Sequence, residues 1–277
     1  MPYVKLSEIS IYFEVHGNHG SPLLMINGLG CSKTCWSSEL IRLLNTQHRV
    51  IIFDNRGTGQ SDKPTTPFTM SDLASDAMSI LDDLRIDRAH VVGVSMGGMI
   101  AQHAALNYSA RVQSLVLAST TSVWDHPEFV APTQEVLMQF AKPASGNPAQ
   151  DMRDGWWISY PPAFIESHRN WLEQELQKSL ALVYPETPDY ARELQMGAVL
   201  SSHNTYDKLS QITCPTLVQT GTEDVLIPPE NSRILAKLIP NARLIEYPGY
   251  GHDMLGPCEE KAAQDILDFV AENEMTA

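Results

Sequence analysis

The chain has 277 residues, 43% of them hydrophobic, and 19 Lys+Arg against 33 Asp+Glu give a net charge of −14. That length and apolar content suit one large α/β domain, or one domain carrying an insertion, and exclude a disordered chain. The negative balance repels the phosphates of nucleic acid and of anionic membranes, which leaves a small molecule as the expected partner.

The N-terminus, "MPYVKLSEISIYFEVHG", alternates like a pair of strands and has no basic region followed by an apolar one, so it is not read as a signal peptide. No apolar run approaches the roughly 20 residues a bilayer span requires. A cytoplasmic location is expected. The cysteines Cys31, Cys35, Cys214 and Cys258 lack C-x-x-C spacing. Free thiols are expected, and no metal centre.

Further along, "LLMI" (23–26), "RVIIF" (49–53), "HVVGV" (90–94) and "VQSLVLA" (112–118) are short, rich in β-branched residues and nearly continuous. Parallel strands buried on both faces have this pattern. Between the second and third, Leu73, Ala77, Ile80, Leu81 and Leu84 recur at helical spacing behind Thr69 and Asp72, a capping pair. The alternation resumes with "PTLVQT" (215–220), a helix over 230–238, "ARLIEY" (242–247) and a last helix carrying Ala263, Ile266, Phe269 and Val270. The expected fold is therefore α/β, a mostly parallel twisted sheet with helices on both faces.

The stretch from Thr121 to Asn204 breaks that rhythm. It offers helix-like segments such as "PTQEVLMQFA" (132–141) and "FIESHRNWLEQELQKSL" (164–180), several prolines and no convincing strand. It reads as a helical cap over 121–204, inserted into a core formed by 1–120 and 205–277. Trp124, Trp156, Trp157 and Trp171 lie here. They are expected mostly to form the cap's own small core, with a minority facing a pocket shared with the main domain.

Within "HVVGVSMGGMIAQHAAL" (90–106), Gly93, Gly97 and Gly98 crowd around Ser95. Gly93-Val94-Ser95-Met96-Gly97 is a G-x-S-x-G motif between an apolar strand and a helix. In that setting the serine sits on a sharp strained turn that lifts its hydroxyl above the sheet edge, and larger neighbours would collide across the turn.

A serine needs a base to become nucleophilic at neutral pH, and the base needs an orienting acid. Of nine histidines, only His252, in "YPGYGHDM", follows the late strands. Asp224, in "TGTEDVLIPP", likewise follows a strand. Loops after the C-terminal ends of parallel strands gather on one edge, where Ser95 also emerges. The order Ser95, Asp224, His252 is the order expected for this motif. Glu223 and Asp125 are the alternative acids, and His203 would be the base only with Asp125. His103 is expected to be structural.

Acyl transfer also needs two backbone amides for the charge developing on the carbonyl oxygen, and losing one typically costs about 2.7–4 kcal/mol of transition-state stabilisation. Met96, following the nucleophile, would supply one. Leu29, in the loop Asn27-Gly28-Leu29-Gly30, would supply the other. The G-x-G of this loop is not a dinucleotide fingerprint, because Lys33 stands where the third glycine belongs.

These residues resemble the α/β-hydrolase superfamily across 1–120 and 205–277. "DNRGTGQSDKP" (54–64) is similar to the family's D-x-R-G-x-G-x-S loop, and "ITCPTLVQTGTEDVLIP" and "YPGYGHDM" are similar to its acid and histidine segments. The resemblance implies that Asp54 and Arg56 form a packing pair. Two departures stand out: Asn27-Gly28 where many relatives have His-Gly, and Asn204 where many have Asp. Ser95 in the nucleophile position argues against the epoxide-hydrolase and dehalogenase branches, which use an aspartate there.

The expected function is a serine hydrolase of the esterase/lactonase-like branch, cleaving a carboxylic ester or lactone of a small to medium apolar substrate without metal or organic cofactor. A carbon–carbon bond hydrolase and a cofactor-free haloperoxidase-like enzyme are the alternatives on the same triad. A carbon–carbon hydrolase would need cations for its substrate's carboxylate, for which the cap offers Arg153, Arg169 and Arg192. A ligand-binding, receptor-like protein is the alternative of a different class.

Overall fold

A computed structural model describes residues 2–143 and 145–274. Its elements in chain order are β1 (Tyr3–Lys5), β2 (Ser10–His16), β3 (Pro22–Ile26), α1 (Ser38–Leu44), β4 (Arg49–Phe53), α2 (Met70–Asp83), β5 (Ala89–Val94), α3 (Met96–Asn107) and β6 (Val112–Ala118). After these come α4 (Gln134–Phe140), α5 (Pro148–Ser159), α6 (Pro162–Ser167), α7 (Arg169–Ala181) and α8 (Asp189–Ser202). The chain closes with β7 (Thr216–Gly221), α9 (Pro229–Leu238), β8 (Ala242–Tyr247) and α10 (Glu259–Glu274).

The strands form one sheet in the order β1-β2-β4-β3-β5-β6-β7-β8. β1 and β2 pair antiparallel, as do β2 and β4, and every pairing from β4 through β3 to β8 is parallel. The continuous apolar runs have the cause the sequence indicated: alternate residues enter different cores. Leu24, Ile26, Ile51, Phe53 and Val91 pack with α2, α3 and α9 on one face. Leu23, Met25, Val50, Ile52 and Val92 pack with α1 and α10 on the other. Helix α2 starts where its capping pair indicated, with Thr69 Oγ1 accepting from Asp72 N–H and Asp72 accepting from Thr69 N–H. No helix of the described residues is long and apolar enough to cross a membrane.

The segment between β6 and β7 carries α4–α8, with a lone bridge between Val123 and Asn204 at its base. The periodicity over 164–180 reads as one helix, whereas the structure has two. His168 leaves helical geometry (φ −117°, ψ 21°), its ring stacked on Phe164 and Ser167 Oγ donating back to Ala163 C=O. Hydroxyls that bond back along a helix compete with its continuation. Trp156, Leu172 and Leu176, with Trp171 against them, form a small core within the cap. Trp124 and Trp157 pack instead on the core of the main sheet.

Asp54 and Arg56 are not paired with each other, contrary to the sequence expectation. Arg56 reaches α2 and donates from Nε and Nη2 to the two oxygens of buried Asp76 (2.6 and 2.7 Å). Asp54 turns the other way and accepts from the Lys33 and Gln60 N–H groups (2.6 and 2.8 Å) and from Tyr184 Oη (2.6 Å). The long guanidinium finds its carboxylate across a helix, while the short Asp54 side chain is used up by its own loop.

His103 and His203 are structural. His203 Nε2 lies 3.0 Å from Thr121 C=O and so carries the proton, which makes His203 Nδ1 the acceptor for His103 Nε2 at 3.4 Å. Burial pushes both rings down, His103 to about 4 and His203 to about 3. Burial likewise pushes His90 on β5 down to about 4. These rings are neutral in the fold, whereas unfolded histidines take up protons below about 6.5, so the unfolded state binds more protons as the medium acidifies. Their stability contribution is complete above about pH 6.5 and falls away towards about pH 4. The melting temperature should therefore drop between about pH 6.5 and 4.5 by calorimetry, and more shallowly in His90→Asn. Parallel curves for the two proteins would remove His90 as a source of the drop.

Candidate active site

β5 ends at Val94 and α3 begins at Met96, so Ser95 makes the whole connection, at φ 55° and ψ −122°. The crowding glycines are explained by contact. A Cβ on Gly93 would lie 2.3 Å from Gly97 C=O, and one on Gly97 would lie 2.0 Å from Ile26 C=O. Ser95 N–H donates to Ala118 C=O (2.9 Å), and its own carbonyl accepts from Gly98 N–H (2.9 Å) and Thr120 Oγ1 (2.7 Å). A Cβ on Gly28 would lie 3.3 Å from Ser95 Cβ, so the 27–31 loop is packed directly against the serine.

Asp224 follows β7 and is buried. Its Oδ1 accepts from the Leu226 and Ile227 N–H groups (2.9 and 2.8 Å), which leaves Oδ2 for His252 Nδ1 at 2.8 Å. A carboxylate only accepts, so Nδ1 carries the proton and Nε2 is the basic nitrogen. The alternative acids are elsewhere: Glu223 and Asp125 are exposed and neither bonds His252. Burial works against a charged His252, but the attraction and hydrogen bond of Asp224, with Asp253 adding to them, hold the imidazole above its ordinary value.

Leu29 and Met96 N–H have no protein acceptor among the described residues, as donors reserved for a ligand would require. Gly30, next to Leu29, is left-handed at φ 71°. Asn27 shapes this loop from within: its Nδ2 donates to Ser32 C=O (2.8 Å) and its C=O accepts from Asn55 Nδ2 (3.1 Å). Ser95 Oγ and His252 are not hydrogen-bonded to each other among the described residues. Cys31, which follows Gly30, lies within electrostatic reach of His252, Asp253 and Arg192. All four cysteines are free thiols. Among the described residues no cluster of three or more His, Cys, Asp or Glu side chains is arranged to hold a metal.

Several residues at this site have no sequence signal. Asp253 stood in plain view beside His252, but its partner did not: Tyr160, just past α5, donates to Asp253 Oδ2, and Ser159 C=O accepts from Asp253 N–H (3.2 Å). Arg153 is committed to Glu173 by two bonds (2.7 and 2.6 Å), whereas Arg192 lies against Gly30 and donates to Phe140 C=O. A surface recess lined by Asp82, Arg85, Arg88 and Arg111 opens at the N-terminal ends of β5 and β6, away from Ser95.

This strand–serine–helix elbow, with a carboxylate-bound histidine on a neighbouring loop, defines the α/β hydrolase class. The chain belongs to it, since residues 21–256 match the family described as alpha/beta hydrolase fold. It is similar to a protein named putative carbamate hydrolase RutD from Azorhizobium caulinodans, 29% identical over 98% of this chain and 99% of that one. It is also similar to rhodomycin D methylesterase DnrP from Streptomyces peucetius, 30% identical over 88% of this chain and 89% of that one. Among solved structures, a hydrolase from Pseudomonas aeruginosa superposes with a TM-score of 0.79 at 25% identity, covering 97% of each chain.

The carboxylates around His252 give a direct test. Proton NMR should find its imidazole titrating above the ordinary value of about 6.5, and Asp253→Asn should lower that midpoint, because a nearby anion favours the imidazolium. An unchanged midpoint in Asp253→Asn would show that Asp224 alone sets it.

Proposed function

We propose that this chain is a serine hydrolase that cleaves a carboxylic ester or lactone of a small to medium apolar substrate through an acyl-enzyme on Ser95. The observation that carries the reading is the 2.8 Å bond from His252 Nδ1 to a carboxylate pinned by two backbone amides, on the sheet edge where the strained serine emerges.

In this reading Nε2 of His252 takes the Ser95 proton as Oγ attacks the acyl carbon. Bonds of this kind are often long without substrate and tighten in the complex. The carbonyl oxygen becomes an oxyanion held by Leu29 and Met96 N–H, with the helix α3 N-terminus aimed at it. The imidazolium returns the proton to the departing alkoxide. Water, deprotonated by the same nitrogen, attacks the acyl carbon and releases the acid and Ser95. Asp224 holds the imidazole in one tautomer throughout.

A carbamate is the second reading, favoured by the relatives named carbamate hydrolases, one of which aligns with 98% of this chain. Its carbonyl takes the same attack, with a carbamoyl group on Ser95 in place of the acyl group.

The test is hydrolysis of short p-nitrophenyl esters and carbamates by the wild type and Ser95→Ala. Ser95→Ala should lower kcat at least about a thousandfold. The wild-type kcat/KM should rise with pH through a midpoint above about 6.5, following the raised His252. Turnover that survives Ser95→Ala overturns the acyl-enzyme. A wild type silent on esters and carbamates, yet stabilised by a bound ligand, moves the reading to a receptor-like protein.

A further inference from the structure

The loop bearing Leu29 is gripped by the cap. Gly30 N–H donates to Gln195 Oε1 on α8 at 2.8 Å, and Gly30 C=O accepts from Thr187 Oγ1, just before α8, at 2.9 Å. Both peptide planes flanking Gly30 are therefore fixed by cap side chains, at a backbone angle in the left-handed region (φ 71°).

The grip on the Gln195 side has one possible orientation. Gln195 is fully buried, and its Nε2 donates to Arg56 C=O at 2.9 Å. Turning the amide over would set its NH2 against Gly30 N–H and its oxygen against Arg56 C=O, breaking two buried bonds at once. Arg56 is itself locked on Asp76 of α2. A Cβ on Gly57 would come within 3.2 Å of Ala191 Cβ, one turn before Gln195, so α8 rests directly on this loop as well. From below, Asn27 bonds Ser32 C=O and closes the base of the Leu29 loop.

Glue between cap and core could fall anywhere on their boundary. Here two side chains of one cap segment hold the donor and the acceptor of a single residue, and that residue adjoins Leu29. The peptide plane containing Gly30 N–H also contains Leu29 C=O, so clamping it fixes one side of Leu29 and limits the swing of the Leu29 amide. We infer that Thr187 and Gln195 are positioning residues for the oxyanion donor Leu29, so that the cap sets the geometry of the hole as well as enclosing the substrate. This inference rests on the acyl-transfer reading above. It makes transition-state stabilisation depend on where α8 sits, and a cap displaced by an ill-fitting substrate leaves Gly30 free to turn.

The test compares Gln195→Leu, Thr187→Val and Thr187→Ser with the wild type on p-nitrophenyl butyrate. The readouts are kcat, KM, the pH profile and inhibition by an alkyl trifluoromethyl ketone, whose hemiketal with serine carries an oxyanion. Gln195→Leu and Thr187→Val should lose about 10- to 100-fold in kcat, less than removal of a donor outright, with KM changing less than about threefold. The ketone should bind more weakly by a similar factor. The pH midpoint should stay in place, because His252 is untouched, and Thr187→Ser, which keeps the hydroxyl, should stay near wild type. If Gln195→Leu fails to fold, the Thr187 pair still decides.

A Thr187→Val protein that melts earlier but keeps its kcat and its ketone affinity would make these bonds structural glue and overturn the inference. Turnover that depends on Ser95 but ignores both substitutions would overturn it while leaving the acyl-enzyme intact. Turnover independent of Ser95 would overturn both.

Discussion

The structure around the site depends on a backbone conformation that side-chain-bearing residues avoid. Ser95 is held at φ 55° and ψ −122°, and such a residue costs about 1–3 kcal/mol unless its surroundings over-determine it. Here they do. Its N–H is tied to β6, its carbonyl receives three donors, and the missing side chains of Gly93 and Gly97 let α3 approach the end of β3. The middle of the sheet supplies the rigidity: β3, β5 and β6 are buried on both faces, and each fully buried aliphatic side chain contributes roughly 1.5–3 kcal/mol relative to exposure. A strained turn at the margin of a looser sheet would relax and withdraw the hydroxyl.

The second half of the site is balanced by opposing effects. A buried imidazole prefers to be neutral, and a buried carboxylate is costly unless its oxygens are satisfied. Asp224 meets that requirement with two backbone N–H groups on one oxygen and His252 on the other. The outcome is a histidine held above its ordinary value in spite of burial, with Asp253 as a further anion beside it. Asp253 in turn accepts from Tyr160, whose phenol is pushed up by burial and by this same carboxylate. The cap therefore touches the charge environment of His252 as well as the loop of Leu29 and Gly30.

Legibility in the sequence followed the range of each interaction. The strands could be read because their burial on both faces leaves a continuous apolar run, and α2 because its capping pair spans only three residues. Ser95, Asp224 and His252 could be named because each lies in the connection that follows a strand, so topology carries them to one edge. Asp54 and Arg56 were expected as partners from the family resemblance of their loop, and long-range geometry prevailed: Asp76, twenty residues on, takes the arginine. The break at His168 was hidden because the apolar spacing continues across it while a single hydroxyl and ring redirect the backbone. Gln195 and Thr187 gave no signal at all. A glutamine in an amphipathic helix reads as surface, and only the fold places it against Gly30, 165 residues earlier in the chain.

That asymmetry explains how one core can serve different substrates. The parts that perform chemistry are fixed by short-range rules in the sheet, whereas the parts that aim it arrive from an insertion with its own small core. Three points of the cap reach three separate loops of the core: Ser159 and Tyr160 on the His252 loop, Tyr184 on Asp54, and Thr187 with Gln195 on Gly30. A rigid displacement of the cap must strain all three at once, so in the proposed reaction the substrate that best fits beneath it also leaves His252 and the Leu29 loop undisturbed. Specificity and rate then share the same contacts. In the proposed acyl transfer, changes in cap sequence would alter what is bound and, through these bonds, how well Ser95, His252 and Leu29 are aligned.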